Sequence, residues 1–204
     1  CGVTGTKGKT TVTYLVEACA ATARVPAGVV GTVAYRFPGA TRPATHTTPG
    51  AEELQALLAD MVRAGTRLAV LEVSSHALAL GRTDGCEFRA AAFTNLTQDH
   101  LDFHETMEAY FRAKLLLFSG LAPEAVAVVN RDDARAADII ANTRARVMTF
   151  GFAEKADVRP EGPVGHGLGG LKFTASTPAG AIAIASPLVG RHNFSNILTA
   201  IGMG

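Results

Sequence analysis

The chain has 204 residues, 48% of them hydrophobic, and a formal net charge of +1. Such a composition suits one well-buried domain with room for a small subdomain, and the near-neutral charge balance excludes a general pull on nucleic acid or anionic membranes. Three cysteines (Cys1, Cys19, Cys86) have no metal-type spacing and cannot all pair, which fits a reduced compartment, and no apolar run is long enough to span a bilayer.

The first element is Gly5-Thr6-Lys7-Gly8-Lys9-Thr10-Thr11, which reads as a phosphate-binding loop. Glycines let successive N–H groups converge on phosphate oxygens, Lys9 supplies a charge for the β- and γ-phosphates, and Thr10 reaches a Mg²⁺ ion. The common form of this loop has a glycine where Val3 stands, so a glycine-rich turn before an ordinary helix is the competing reading. A helix is predicted to follow, with Val12, Leu15, Val16, Cys19, Ala20 and Ala23 as its apolar stripe and its N-terminus aimed at the phosphate. Val29–Thr32 is a short strand candidate. Tyr35–Thr48, rich in Pro, Gly and Thr, reads as a long loop. Thr48 is predicted to cap a helix with Pro49 at its first position, continuing through Leu54, Leu57, Leu58, Met61 and Val62 to Gly65.

Leu68–Val73, Ala90–Thr94, Ala125–Val129 and Val147–Phe150 are apolar runs of the kind buried on both faces of a parallel sheet. Helices are predicted between them, at about Met107–Phe118 and Ala134–Asn142. The implied fold class is α/β: a phosphate-loop protein with a mainly parallel sheet and helices on both faces. Composition changes after Phe152. Glu161–Gly170 is glycine-rich, and Leu171–Thr174 and Ala181–Ile184 flank a Pro-Ala-Gly turn. A small antiparallel β subdomain is predicted at about 153–190, then a last helix from about Asn193.

Ligands of parallel sheets bind beyond the carboxyl ends of the strands. Glu72 ends an apolar strand there, as a Mg²⁺ ligand or a satisfied buried acid. His100 and His104 are placed to bind metal or to pair with Asp99 and Asp102. Lys114 shares the core-facing stripe of its helix with Met107, Tyr110, Phe111 and Phe118. A lysine there must snorkel, find an acid or lose its proton, and a neutral amine reacts with CO₂ to give a metal-binding carbamate. Asn130-Arg131-Asp132-Asp133 loosely matches a guanine-reading motif and equally suits a strand-end turn that caps the next helix.

Together these segments resemble the Mur ligases, in particular the MurE type, over nearly the whole chain. The carriers are Gly5-Thr6-x-Gly8-Lys9-Thr10-Thr11, Glu72-Val73-Ser74-Ser75-His76-Ala77-Leu78, Asn95-Leu96-x-x-Asp99-His100-Leu101-Asp102-x-His104, Tyr110-x-x-Ala113-Lys114, and Gly190-Arg191-His192-Asn193-x-x-Asn196. Lys7 stands where the family has Asn, and Leu80 where it commonly has Gln.

The resemblance implies the central ATP-binding domain of a cytoplasmic, monomeric ligase. A uridine-binding domain and an amino-acid-binding domain would complete it outside residues 1–204. Its activity would be addition of L-lysine or meso-diaminopimelate to UDP-MurNAc-L-Ala-D-Glu through an acyl phosphate, with ATP and two Mg²⁺ ions. By resemblance, Gly5, Thr6, Lys7, Gly8, Lys9, Thr10, Thr11, Asn95, Asn193 and Asn196 hold the nucleotide, with Asn193 and Asn196 on its adenine side. Thr10 and Glu72 hold one Mg²⁺, and His100 with N6-carboxylated Lys114 holds the second. Lys9, Glu72, His100 and Lys114 thus form the catalytic group. Thr47, Thr48, Ser74 and Arg82 hold the acid substrate. Related ATP-dependent ligases, the folylpolyglutamate and cyanophycin synthetases, lack the Ser-Ser-His segment. A phosphate-loop GTPase and a non-catalytic nucleotide-binding module are the alternatives of other classes, although the strand bearing Glu72 lacks the Asp-x-x-Gly ending of a GTPase.

Overall fold

The computed structural model describes residues 1–167 and 169–204. The chain order begins β1 (Gly2–Thr4), α1 (Lys9–Thr22), β2 (Ala27–Val30), β3 (Ala34–Phe37), β4 (Ala40–Pro43), α2 (Ala51–Arg63), β5 (Leu68–Glu72), α3 (Ser75–Ala79), β6 (Ala90–Phe93). It continues with α4 (Leu101–His104), α5 (Met107–Ser119), β7 (Val126–Asn130), α6 (Ala136–Ala141), β8 (Arg146–Phe150), β9 (Arg159–Gly167), β10 (Gly170–Thr177), β11 (Gly180–Ser186), α7 (His192–Met203).

Eight strands form one sheet in the order β4-β3-β2-β5-β1-β6-β7-β8. All neighbours from β2 to β8 pair in parallel, and β3 and β4 add an antiparallel edge. Strand alternation divides the buried side chains between two cores. Leu71, Ala91, Phe93, Ala127 and Val129 pack with Leu54 and Met61 of α2, Phe111 and Leu117 of α5 and Ile139 of α6. Val3, Val70, Ala92 and Val128 face the other way, onto Val12 and Val16 of α1 and Phe194, Ile197 and Leu198 of α7. The helices therefore cover both faces, as the run of apolar strands required.

β9, β10 and β11 form a separate three-stranded antiparallel sheet. Leu171, Phe173 and Ala175 of β10 belong to the α1–α7 core, and the Phe173 and Phe194 rings meet at 5.0 Å. The predicted hairpin is present, with Thr177 opposite Gly180. The glycine-rich stretch Glu161–Gly170 also carries most of β9, although Leu168 within it lies outside the described residues.

Three local expectations are corrected. Tyr35–Thr48 is not a long loop: β3 and β4 pair around a two-residue Pro38-Gly39 turn, with Gly39 at φ 80° and Tyr35 and Phe37 buried. Alternating burial outweighs the Pro- and Thr-rich composition, and Arg42 and Pro43 suit an edge strand. Thr48 and Pro49 do not start a helix: α2 begins at Ala51, and Gly50 at its cap makes no side-chain bond. The Thr48 hydroxyl instead donates to the Glu72 carbonyl at 2.8 Å and accepts from Ser74 N–H at 3.1 Å. On α1, Cys19 and Ala23 are exposed, whereas Thr13 is buried and donates to the Thr10 carbonyl.

Leu198 is fully buried between α7 and the sheet, and Leu116 on α5 is 52% exposed. Leu198→Ala is expected to cost about 2–4 kcal/mol in urea unfolding, against under about 0.5 kcal/mol for Leu116→Ala. Equal losses would contradict the two-core assignment.

Candidate active site

β1 lies between β5 and β6, so the loop that leaves it at Thr4 emerges beside Glu72 on one side and Thr94-Asn95 on the other. The loop is held by the end of β6. Asn95 accepts from the Lys7 N–H through Oδ1 at 2.9 Å and donates from Nδ2 to the Lys7 carbonyl at 3.1 Å. Thr94 Oγ1 donates to that carbonyl at 2.6 Å, and Thr6 N–H donates to the Asn95 carbonyl at 2.8 Å. The Thr6 hydroxyl sits 3.1 Å from Tyr110 Oη and accepts from Thr97 N–H. Gly8, at φ 91°, caps α1 in a left-handed conformation, and a side chain there would enter the Asn196 amide. The N-terminus of a 14-residue helix thus points out of the loop, a ready anion site.

Glu72 is 1% exposed and accepts three hydrogen bonds. Its Oε2 accepts from Thr10 Oγ1 at 2.9 Å and Thr32 Oγ1 at 3.2 Å, and its Oε1 accepts from Thr32 N–H at 2.9 Å. Gly31 makes room for this carboxylate, because a Cβ there would lie 2.9 Å from Glu72 Cδ.

Lys9 Nζ donates to the carbonyls of Gly5 at 2.9 Å and Thr6 at 3.2 Å. Lys114, 1% exposed, reaches the same Gly5 carbonyl at 3.1 Å, with its ammonium 4.5 Å from the centre of the Tyr110 ring. Two lysines therefore share one acceptor. Burial holds the Lys114 pKa well below the usual lysine value, the Lys9 charge lowers it further, and Asp99 opposes. Burial also lowers the Lys9 pKa, with Glu72 opposing most strongly. Lys114 neither snorkels nor finds an acid, so burial beside Lys9 shifts its balance toward the neutral amine relative to water.

Histidines complete this side. His104, buried, places Nε2 2.9 Å from Ser75 Oγ, and His76 and His100 meet edge to face with ring centres 4.8 Å apart. Burial is the main cause of the lowered pKa of both His76 and His104. The His100 ring lies 5.8 Å from that of Tyr110, on which Lys114 also rests. Of the expected pairs, His100 Nδ1 lies 3.8 Å from Asp99 Oδ1, whereas neither aspartate holds the buried His104; Asp99 also accepts from the His100 N–H and lies 3.5 Å from Lys7 Nζ, in an exposed pair of little energetic weight.

A cleft of about 470 Å³ opens over these groups. Thr6, Lys7, Gly8, Lys9, Thr10, Glu72 and His100 line it together with Thr47, Thr48, Ser74 and Arg82. Among its described lining residues Glu72 is the one carboxylate, facing Lys7, Lys9 and Arg82, so the cleft suits a polyanion. Thr10 and Glu72 present hard oxygens beside the loop, which fits Mg²⁺. Among the described residues no three His, Cys, Asp or Glu side chains converge on one point, so a cation here would draw its remaining ligands from phosphate and water.

A model of the Mur ligase middle domain matches residues 3–204. This chain belongs to the Mur ligase family. Among its relatives, the UDP-N-acetylmuramoyl-L-alanyl-D-glutamate--2,6-diaminopimelate ligase of Gloeobacter violaceus is 51% identical over 98% of this chain and 40% of its own length. The Geobacter sulfurreducens ligase of the same name is 47% identical over the whole of this chain and 41% of its own length. The chain thus spans about two fifths of the relatives it matches. A solved structure bearing that ligase name superposes with a TM-score of 0.88 at 35% identity, covering 98% of this chain and 41% of that one. MurF from Acinetobacter baumannii shares the fold, with a TM-score of 0.75 at 21% identity, over 99% of this chain and 41% of its own.

In this Mur ligase domain the predicted residues fall into groups. Lys114 and Asn95 stand behind the loop rather than in the cleft wall, and Thr11 lies half-buried in the first turn of α1. Asn193 and Asn196 bond each other at 2.9 Å, with Asn196 against Gly8. Asn130-Arg131-Asp132-Asp133 is a structural lock: Asn130 donates to the Thr94 carbonyl, Asp133 accepts from Leu96 N–H, and Asp132 accepts from Phe152 and Ala153 N–H. Sequence reasoning missed Thr32, and gave no role to Thr94 or to Tyr110, although Tyr110 stands in the segment that carries Lys114. The signal for the first two was a hydroxyl just past an apolar parallel strand.

Lys114→Met is expected to raise the stability of the chain at neutral pH by about 1–3 kcal/mol, since it removes a buried amine that must either stay charged without an acid partner or give up its proton. With the folded pKa depressed, wild-type stability increases as pH rises toward the ordinary lysine value of 10.5, so its gap to the mutant should narrow over that range. Thermal unfolding against pH checks this; a gap that widens with pH would contradict the burial account.

Proposed function

We propose that this domain works within a ligase of the length of its relatives, which joins 2,6-diaminopimelate to UDP-MurNAc-L-Ala-D-Glu at the expense of ATP. The observation that carries the reading is the Thr10–Glu72 pair beside Lys9, set in a cleft that continues to Thr47, Thr48, Ser74 and Arg82. The choice of 2,6-diaminopimelate over lysine follows the names of the relatives that match the whole chain.

In this reading the loop amides and Lys9 hold the β- and γ-phosphates, and Gly5 to Thr11 with Asn95, Asn193 and Asn196 frame the nucleotide. Thr10 and Glu72 would hold one Mg²⁺; His100 and Lys114, as its carbamate, would hold a second. Bound Mg²⁺ supplies the positive charge that lets phosphate and carboxylate approach. Thr47, Thr48, Ser74 and Arg82 orient the acid. Its carboxylate oxygen takes the γ-phosphoryl group from ATP, releasing ADP and leaving an acyl phosphate. The amine of the incoming amino acid attacks the acyl carbon, the C–O bond breaks, and phosphate departs. Carbamate formation joins the Lys114 nitrogen to CO₂ and releases a proton, which requires the free amine that burial favours.

We assign this ligase to the cytoplasm, as a monomer acting on small molecules rather than on nucleic acid or membranes. Among the described residues no helix is long and apolar enough to cross a membrane.

The test is ATP turnover by the intact ligase with ¹⁸O in the reacting carboxylate of the dipeptide. Label should appear in the released phosphate, Lys114→Ala should reduce turnover at least about a hundredfold, and a short carboxylic acid should restore part of it. Unlabelled phosphate would overturn the acyl-phosphate route, and an active Lys114→Ala enzyme would overturn the carbamate.

A further inference from the structure

Thr32 is exposed on the cleft wall and belongs to no motif that pointed to the site, yet it makes three bonds there. Its N–H donates to Glu72 Oε1 at 2.9 Å, its hydroxyl donates to Glu72 Oε2 at 3.2 Å, and the same hydroxyl lies 3.0 Å from Thr47 Oγ1. A hydroxyl carries one proton. With the Thr32 proton on the carboxylate, Thr47 must donate to Thr32. The bonds then run in one direction, from Thr47 to Thr32 to Glu72, and each strengthens the next. Thr10 meets the carboxylate at Oε2 from the loop side.

We infer that Thr32 is a positioning residue that fixes the Glu72 carboxylate toward the cation and carries the state of the Thr47 hydroxyl, on the acid-substrate side, to that carboxylate. The inference rests on the proposed function in taking Glu72 as a cation ligand. A glutamate at the end of a strand has several rotamers, of which the cation needs the one that faces Thr10. The Thr32 N–H fixes Oε1, its hydroxyl fixes the plane, and Gly31 leaves space for the group. A substrate atom that accepts the Thr47 proton withdraws the bond that orients Thr32. Occupancy at Thr47 then reaches the cation ligand without touching it.

The experiment is binding of a non-hydrolysable ATP analogue to the intact ligase, titrated with Mg²⁺, for wild type, Thr32→Val, Thr32→Ser, Thr47→Val and the Thr32→Val/Thr47→Val double variant. Thr32→Val should raise the half-saturating Mg²⁺ concentration about three- to tenfold, as loss of a hydrogen bond to a charged group implies. Thr32→Ser should restore it to within about twofold. Thr47→Val alone should raise it by a smaller factor of about two to three and add nothing in the Thr32→Val background, since its effect travels through Thr32. Binding without Mg²⁺ should stay the same in all variants, which a general structural defect would not allow. An unchanged Mg²⁺ requirement in Thr32→Val, or additive effects in the double variant, overturns the inference and leaves the proposed function standing. Wild-type binding that does not depend on Mg²⁺ overturns the reading of Glu72 itself.

Discussion

β1 has three residues and is paired on both edges, and the arrangement of the whole cleft follows from that placement. A central strand cannot shift without breaking two ladders. Its loop is therefore delivered to a fixed point at the carboxyl end of the sheet, between the end of β5 and the end of β6. β5 contributes Glu72 and, just beyond it, Ser74. β6 is followed by Thr94 and Asn95, which hold the loop backbone through Lys7. α1 leaves the loop with its dipole facing the cleft, and α7 braces Gly8 through Asn196. The α/β fold thus supplies the scaffold, and the loops at one edge of it supply the chemistry.

The electrostatics of the loop run against stability. Two lysine side chains meet one carbonyl oxygen, and the more buried of them has no acid partner. A domain selected for stability alone would place an apolar side chain at position 114. The arrangement makes physical sense when an anion joins it: a nucleotide phosphate against Lys9, and a carbamate in place of the Lys114 ammonium. Local conflict of this kind is where function is expected in an otherwise consistent fold.

The sequence made the two-sided sheet legible because apolar strand runs and helical stripes are local patterns. Lys114 was legible for the same reason: periodicity put a charge on the core face of α5, and the structure buries it there. Glu72 stood out as the acid ending an apolar strand. What stayed hidden depends on distant partners. The Thr48 hydroxyl looked like a helix cap, but its acceptor is a carbonyl 24 residues away. Thr32 bonds Glu72 across 40 residues, and nothing near it in sequence announces that. The β3–β4 hairpin and β9 were masked by Pro, Thr and Gly, which mark loops on average but here lie at sheet edges: β4 is held there by β3, whose Tyr35 and Phe37 are buried, and β9 by pairing with β10.

The most direct test of the account is phosphate release from ATP by the intact ligase, with Mg²⁺ and UDP-MurNAc-L-Ala-D-Glu, in parallel with 2,6-diaminopimelate, with lysine and with no amino acid. The account predicts release that requires the dipeptide substrate and is fastest with 2,6-diaminopimelate. Release that ignores the dipeptide, or that runs equally well on GTP with no acid present, would contradict it.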